Sequence, residues 1–120
     1  LRDAARFGQT LLQQGVWQGK QVIPTAAVQS ISGGGDPAKF AGAGYTTLPG
    51  GSYRSQWWAL HNENGAYSAR GIHGQAIYVD PTAEMVIARF ATFPISFNAA
   101  IDPTSLPAYQ AVADYLIKTP

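Results

Sequence analysis

A succession of short apolar segments between residues 55 and 91 most constrains how this chain can fold. The segments read SQWWALH, AYSARG, QAIYVD and MVIARFA, and the turn sequence DPTAE joins the last two. Asn64-Gly65 separates the first two, and this dipeptide favours the tight turn of a β-hairpin. The pattern predicts an antiparallel sheet of three to four strands that follow one another along the chain.

Helical periodicity flanks this region on both sides. The first twelve residues carry one apolar stripe, made of Leu1, Ala4, Phe7, Leu11 and Leu12. Gly15 is placed to end that helix as a left-handed cap, and Pro24 suits the first turn of a short second helix. A last helix is predicted with Pro107 in its first turn, whereas the glycine-rich stretch 32–52 predicts a long loop. Helices at both ends of a sheet-forming region indicate an α+β fold.

Length, charge and composition exclude several classes of protein. The 120 residues suffice for one domain, and the formal net charge is +1 with scattered lysines and arginines. A nucleic-acid partner is therefore not expected, because such proteins concentrate basic residues on one face. The absence of cysteine excludes disulfides and thiolate chemistry. No apolar run reaches the roughly 20 residues that a membrane span needs. The composition does not indicate a compartment.

Few side chains in this sequence could act as a nucleophile, a general base or a metal ligand. No serine has a lysine three positions later, and no G-x-S-x-G motif is present. His61 and His73 are the only histidines, and they lack the spacing of H-x-x-x-H or H-E-x-x-H sites. His61 lies beside the predicted hairpin turn, where solvent exposure is the simplest expectation. The sequence therefore predicts neither a metal site nor a cofactor.

The segment GIHG, residues 71–74, lies between two predicted strands and has a use that needs no reactive side chain. Glycine permits positive φ and lets another group approach the backbone closely. Exposed N–H groups at such a strand edge can hold a carbonyl oxygen or a developing oxyanion. His73 can either hydrogen-bond a substrate or pack at the turn, and packing is the simpler interpretation.

Three stretches of the chain, in this order, resemble the C-terminal part of serine hydrolases of the β-lactamase and D,D-peptidase superfamily. They are RDAARFGQTLLQQGVWQGKQVIP, YRSQWWALHNENGAYSARGIHGQAIYVDPTAEMVIARFA and LPAYQAVADYL. The class C-like branch that includes 6-aminohexanoate-dimer hydrolases and related esterases is the most similar. The resemblance implies that residues 1–120 form the C-terminal segment of a β-lactamase-like domain, and that the sheet is a portion of that fold.

The active site of that family has three motifs: a serine followed three residues later by a lysine, a tyrosine, and a strand-edge motif that is commonly Lys-Thr-Gly. The resemblance implies that the first two precede Leu1, in the remainder of the hydrolase chain. The third would be either Ala69-Arg70-Gly71 or Ile72-His73-Gly74, with His73 replacing the lysine in the second frame. The first frame is preferred, because Gly71 directly follows the predicted strand.

In the preferred frame the resemblance implies that the backbone N–H of Ile72 is one oxyanion-hole donor. Gly71, His73 and Trp58 would bind or line the substrate, and at least one of Trp57 and Trp58 would pack in the sheet. Neither frame keeps the lysine and threonine of the common motif. This departure favours a small-molecule amide or ester substrate over the carboxylate of a β-lactam.

Two functions follow as expectations. The first is the C-terminal part of a serine hydrolase that works through an acyl-enzyme and is inactive alone, because the chain lacks the Ser-x-x-Lys nucleophile. An unpaired sheet edge would then lead the isolated chain to self-associate. The second is a stand-alone, non-catalytic binding or interaction module that has kept the fold.

Overall fold

The computed structural model, which describes residues 1–119, has the predicted α+β architecture. Its helices are α1 (Arg2–Leu12), α2 (Thr25–Gly33), α3 (Pro37–Ala41) and α4 (Asp102–Lys118). Its strands are β1 (Val16–Trp17), β2 (Lys20–Gln21), β3 (Ser52–Arg54), β4 (Trp57–Ala59), β5 (Tyr67–Arg70), β6 (Ala76–Asp80) and β7 (Met85–Arg89). Single 3-10 turns occupy Ile72–Gly74 and Asn98–Ala100. Pro120, the last residue of the expected 1–120 segment, lies outside the described residues.

The main sheet has five antiparallel strands in the order β3-β4-β5-β6-β7, one more than the upper expectation. The additional strand is β3, which pairs with β4 through a two-residue turn at Ser55 and Gln56. Both turn residues have positive φ, 50° and 68°. Such a conformation suits the type I′ turn of a short hairpin, which usually carries Asn-Gly or Asp-Gly. Ser-Gln is not a usual sequence for this turn, and the apolar pattern therefore predicts both residues as part of a strand.

The glycine-rich stretch 32–52 is not wholly a loop, because it contains α3. The carboxylate of Asp36 accepts hydrogen bonds from the N–H groups of Ala38 and Lys39, at 2.9 and 3.4 Å. Pro37 follows at the first helical position, where its missing N–H has no cost. Asp36 and Pro37 thus mark the start of α3.

Helix α4 begins at Asp102, five residues before Pro107, so it starts earlier than the expectation that placed Pro107 in its first turn. Pro107 lies inside the helix, where it cannot donate to the carbonyl of Pro103. The early start brings the first turn of α4 to the end of the sheet that carries the GIHG segment.

The two faces of the sheet are covered by different helices. One core cluster joins α1 and α2 to the sheet and contains Leu11, Val28, Trp57, Tyr67 and Val79. The other joins α4 to the opposite face and contains Ala66, Tyr78, Met85, Tyr109 and Ala113. Strand side chains alternate between faces. Because Trp57 and Tyr67 face α1, Trp58 and Arg70 face the side of α4.

Burial also perturbs two tyrosines that lie in these clusters, one on each face. Loss of solvent raises the pKa of Tyr67 and that of Tyr78 to about 12. Both side chains are almost fully buried, so the two tyrosines are core residues.

None of the helices within residues 1–119 combines the length and apolar character that crossing a membrane requires.

Gly8 allows α1 to lie directly on the sheet. A Cβ atom at this position would be 2.5 Å from Val86 Cγ1 and 3.0 Å from Ile77 Cγ2. Both neighbours are β-branched and therefore stiff. The missing side chain of Gly8 thus sets the distance between α1 and strands β6 and β7.

We expect Gly8→Ala to lower the free energy of unfolding by about 1–3 kcal/mol, since overpacking outweighs the gain in helix propensity. Urea unfolding followed by tryptophan fluorescence measures this change. Gly33→Ala is the matched control, because a Cβ there meets nothing within 4 Å. It should leave stability unchanged or slightly higher. Equal effects of the two substitutions would contradict the close packing of α1.

Candidate functional site

A cavity of about 380 Å³ lies at the end of β5, on the α4 side of the sheet. Its walls come from the loop before β3, from the sheet and from the segment that leads into α4. The lining residues are Ala43, Gly44, Tyr45, Thr46, Thr47, Trp58, Arg70, Ile72, Ser96, Phe97, Asn98, Ala99 and Asp102. Two of the four expected site residues, Trp58 and Ile72, therefore line the same cavity.

An ion pair lies in the wall of the cavity. The guanidinium of Arg70 donates from Nη2 to Asp102 Oδ1, and each side chain is only 7% exposed. The second carboxylate oxygen of Asp102 accepts a hydrogen bond of 2.5 Å from the hydroxyl of Thr47. These are the only charged residues among those that line the cavity, so the cavity carries almost no net charge.

Trp58 is one of three aromatic residues in the cavity wall, together with Tyr45 and Phe97. The guanidinium carbon of Arg70 lies 5.7 Å from the centre of its ring. Tyr53 contacts the same ring edge-on, with ring centres 4.7 Å apart. Trp58 is therefore fixed by its neighbours, whereas Phe97 and Ile72 are 73% and 66% exposed. The cavity thus combines the packed ring of Trp58 with the exposed side chains of Phe97 and Ile72.

The backbone changes direction directly after β5. Gly71 is still extended, with φ −105° and ψ 168°, and its N–H donates to the carbonyl of Gln75 at 2.9 Å. A Cβ at Gly71 would be 2.9 Å from the Cβ of Gln75, so the tight turn requires glycine. Ile72 follows Gly71 and is the first residue of the turn that this hydrogen bond closes. Within residues 1–119 its N–H donates no hydrogen bond.

His73 lies in the turn but does not line the cavity. It adopts a left-handed conformation, with φ 55° and ψ 24°. Its Nδ1 is 2.7 Å from the carbonyl oxygen of Phe93. Because a carbonyl can only accept, Nδ1 carries the proton of this hydrogen bond. No group of three metal-ligating side chains occurs in the part of the chain that the structure describes.

Tyr109 lies on α4 and faces the core, near Arg89 and Arg70. Burial raises the pKa of its phenol, and the charges of Arg89 and Arg70 partly offset that effect. The guanidinium carbon of Arg89 lies 5.5 Å from the centre of its ring. The buried hydroxyl has no hydrogen-bond partner among residues 1–119.

A serine–histidine pair lies elsewhere, at the edge of the sheet. Ser52 Oγ is 2.7 Å from His61 Nε2 and accepts a hydrogen bond of 2.9 Å from the N–H of Gly35. Ser52 is 0% exposed, so no substrate reaches its hydroxyl. The pair joins the end of α2 to β3. His61 is exposed, as expected, and its ring also makes this hydrogen bond to Ser52.

Several cavity residues could not be identified from the sequence. Thr47 and Asp102 are 55 positions apart, and 32 positions separate Arg70 from Asp102. No local pattern links residues at such distances. Asp102 does precede a proline at the start of a helix, and this signal marks an N-terminal turn. It does not indicate the partner of the carboxylate.

Comparisons with known proteins show similarities that extend over most of the chain, and two of them are described. The chain is 39% identical over 94 residues to the 6-aminohexanoate-dimer hydrolase of Paenarthrobacter ureafaciens, covering 78% of this chain and 24% of that protein. A solved structure described as "Putative 6-aminohexanoate-dimer hydrolase from Bacillus anthracis" superposes with a TM-score of 0.78 at 37% identity. It covers 99% of this chain, which matches 29% of that one. No family model matches the chain.

The matched proteins are much longer than this chain. The chain spans about a quarter of the curated relative, 24% of its length. The similarity confirms the predicted relationship and fold over the segment that is present.

We expect Asp102→Ala to lower the free energy of unfolding by about 3–5 kcal/mol, because it leaves the buried charge of Arg70 without a partner. Urea unfolding measures the loss. The double variant Arg70→Met with Asp102→Leu should unfold closer to the unaltered chain, since it removes both charges.

The exposed pair of Arg6 and Asp3 is the matched control, with side chains 51% and 92% exposed. Arg6→Ala should change stability by less than about 1 kcal/mol, as is usual for surface ion pairs. A similar effect of Arg6→Ala and Asp102→Ala would show that burial does not make the cavity pair special.

Proposed function

This chain is homologous to one segment of the 6-aminohexanoate-dimer hydrolases, and from that premise we propose that it forms the oxyanion-binding part of a serine hydrolase. The enzyme cleaves amide or ester bonds of small molecules through an acyl-enzyme. The nucleophilic serine, its lysine and the tyrosine belong to the part of the hydrolase that this chain does not cover.

The observation that carries the proposal is the position of Ile72. It follows β5 by two residues, borders the cavity, and its N–H is left out of the hydrogen bonds that occupy the N–H groups of Gly71 and His73. A backbone donor at the end of a rigid strand is suited to an oxyanion, because it needs no reorganisation during the reaction. The same geometry favours the frame Ala69-Arg70-Gly71 for the strand-edge motif.

In the proposed reaction the serine attacks the carbonyl carbon of the substrate, while lysine and tyrosine move its proton. The carbonyl oxygen becomes an oxyanion, which the N–H of Ile72 binds together with the N–H of the serine. Collapse of this intermediate releases the amine or alcohol and leaves an acyl-enzyme. Water then attacks the ester through a second oxyanion at the same donors.

The charge of the cavity supports a substrate without a carboxylate at this position. Arg70 occupies the strand-edge motif, but its guanidinium is already paired with Asp102. Trp58 and Phe97 instead offer apolar surface to an acyl chain or a leaving group. Gly71 keeps the approach to the backbone open. At this wall, an uncharged part of an amide or ester substrate fits better than the anionic group of a β-lactam.

The remainder of the hydrolase is the proposed partner of this chain. Strands β3 and β7 are the outer strands of the sheet, so each has one paired neighbour among the described residues. Phe90 and Ile95, close to β7, are 64% and 51% exposed. Exposed apolar side chains beside an open edge favour association, either with the rest of the enzyme or between copies of the isolated chain.

A chimaera tests the proposal directly. Residues 1–120 replace the homologous segment of the P. ureafaciens hydrolase, and hydrolysis of 6-aminohexanoate dimer and of a neutral short-chain ester is measured. We expect turnover, and we expect Ile72→Pro to lower kcat about 100- to 1000-fold, as loss of one oxyanion donor does. Proline lacks the N–H, and the extended conformation of Gly71 tolerates a proline after it.

Ile72→Val is the matched control, because it keeps the N–H and changes the side chain by one methylene. It should keep kcat within about threefold, and both variants should unfold at similar temperatures. Unchanged kcat in Ile72→Pro would exclude the oxyanion role. The isolated chain should gain no adduct from a fluorophosphonate probe, and ligand binding without turnover in the chimaera would favour the non-catalytic module.

A further inference from the structure

The turn that carries Ile72 is fastened to the segment that follows β7, residues 91–96. His73 makes three of these connections. Its N–H donates to the carbonyl of Ser96 at 3.3 Å, and its carbonyl accepts from the N–H of Phe93 at 3.1 Å. Its ring Nδ1 donates to the carbonyl of Phe93 at 2.7 Å. The backbone and the side chain of His73 thus both form hydrogen bonds to the same neighbouring segment.

Two further side chains hold the residues after His73. The side-chain amide of Gln75 donates to the carbonyl of Ala91 and accepts from the N–H of Ala91 at 3.2 Å. Nε of Arg89 donates to the carbonyl of Gly74 at 2.7 Å. The positions of the three bonded residues therefore depend on residues 89–96.

Packing reinforces the hydrogen bonds. The ring of Phe93 lies against Gly74, where a Cβ would be 2.3 Å from Phe93 Cδ2. Gly74 has a φ of +88°, which glycine adopts without strain. The ring of Phe93 is itself covered by the guanidinium of Arg89, at 5.5 Å. Residues 73–75 therefore have little room to move relative to this segment.

We propose that His73 is a positioning residue, which fixes the direction of the Ile72 N–H through its hydrogen bonds to Phe93 and Ser96. The proposal rests on the oxyanion role given to Ile72 above. It differs from the expectation that His73 binds substrate, because the ring nitrogen nearest the backbone is already used by the carbonyl of Phe93. An oxyanion donor is effective only when its direction is set before the reaction.

Three substitutions separate the side-chain bond from the backbone conformation. His73→Gly keeps the left-handed conformation accessible but removes the ring donor. His73→Asn keeps both, because asparagine tolerates this region and its amide can donate to the carbonyl of Phe93. His73→Ala removes the donor and strains the backbone as well.

The first measurement is steady-state kinetics of these variants in the chimaera. His73→Gly should lower kcat about 10- to 100-fold, within the loss expected for the donor itself, and change KM less than about threefold. His73→Asn should recover kcat to within about fivefold of the unaltered chimaera. A raised KM with unchanged kcat would overturn the proposal in favour of substrate contact. An unchanged kcat in His73→Gly would overturn it as well.

The second measurement uses the 120-residue chain and does not depend on turnover. Amide relaxation by NMR reports the order parameter of the Ile72 N–H, which is about 0.85 in rigid backbone and below about 0.6 in flexible backbone. His73→Gly should lower this value, and His73→Asn should not. An Ile72 amide that stays equally ordered in all variants would overturn the proposal.

Comparison with Ile72→Pro distinguishes the two proposals. If Ile72→Pro leaves kcat unchanged, the oxyanion role fails, and the role of His73 in the reaction fails with it. If Ile72→Pro lowers kcat and His73→Gly does not, only the positioning role is wrong.

Discussion

A buried ion pair holds together the three parts of the chain that form the cavity. Arg70 is the last residue of β5, Asp102 is the first residue of α4, and Thr47 belongs to the loop before β3. The ion pair and the hydrogen bond from Thr47 thus link a strand, a helix and a loop that are far apart in the sequence. Because both charges are buried, neither can be satisfied by water when the other is displaced. The cavity therefore keeps its shape only while strand, helix and loop stay in contact.

The alternation of side chains along the strands divides the sheet into a structural face and a face that carries the cavity. Trp57 and Tyr67 point toward α1 and α2 and are buried in that core. Their neighbours Trp58 and Arg70 point to the other side and border the cavity. Adjacent tryptophans thus have different roles although their chemistry is identical. A single insertion in β4 would exchange those roles, since strand periodicity is two.

Much of the fold was predictable because its signals are local. Helical stripes, the Asn64-Gly65 turn and the alternating strands each lie within a few residues of sequence. The additional strand β3 was missed because Ser55 and Gln56 form a turn that is usually made by glycine and asparagine. The cavity was predictable only in part, through Trp58 and Ile72. Asp102 and Thr47 meet Arg70 through tertiary packing, which no spacing along the chain encodes.

The sequence has no Ser-x-x-Lys or G-x-S-x-G motif, and the contribution proposed for this chain is a backbone group. An N–H is present at nearly every position, so residue type cannot mark the one that matters. Among residues 1–119, Ile72 differs from its two neighbours because the N–H groups of Gly71 and His73 donate hydrogen bonds and that of Ile72 does not. Glycine on one side permits the turn, and histidine on the other fastens it to residues 93 and 96. In such a site the informative residues are those that hold the backbone, and their side chains need never touch the substrate.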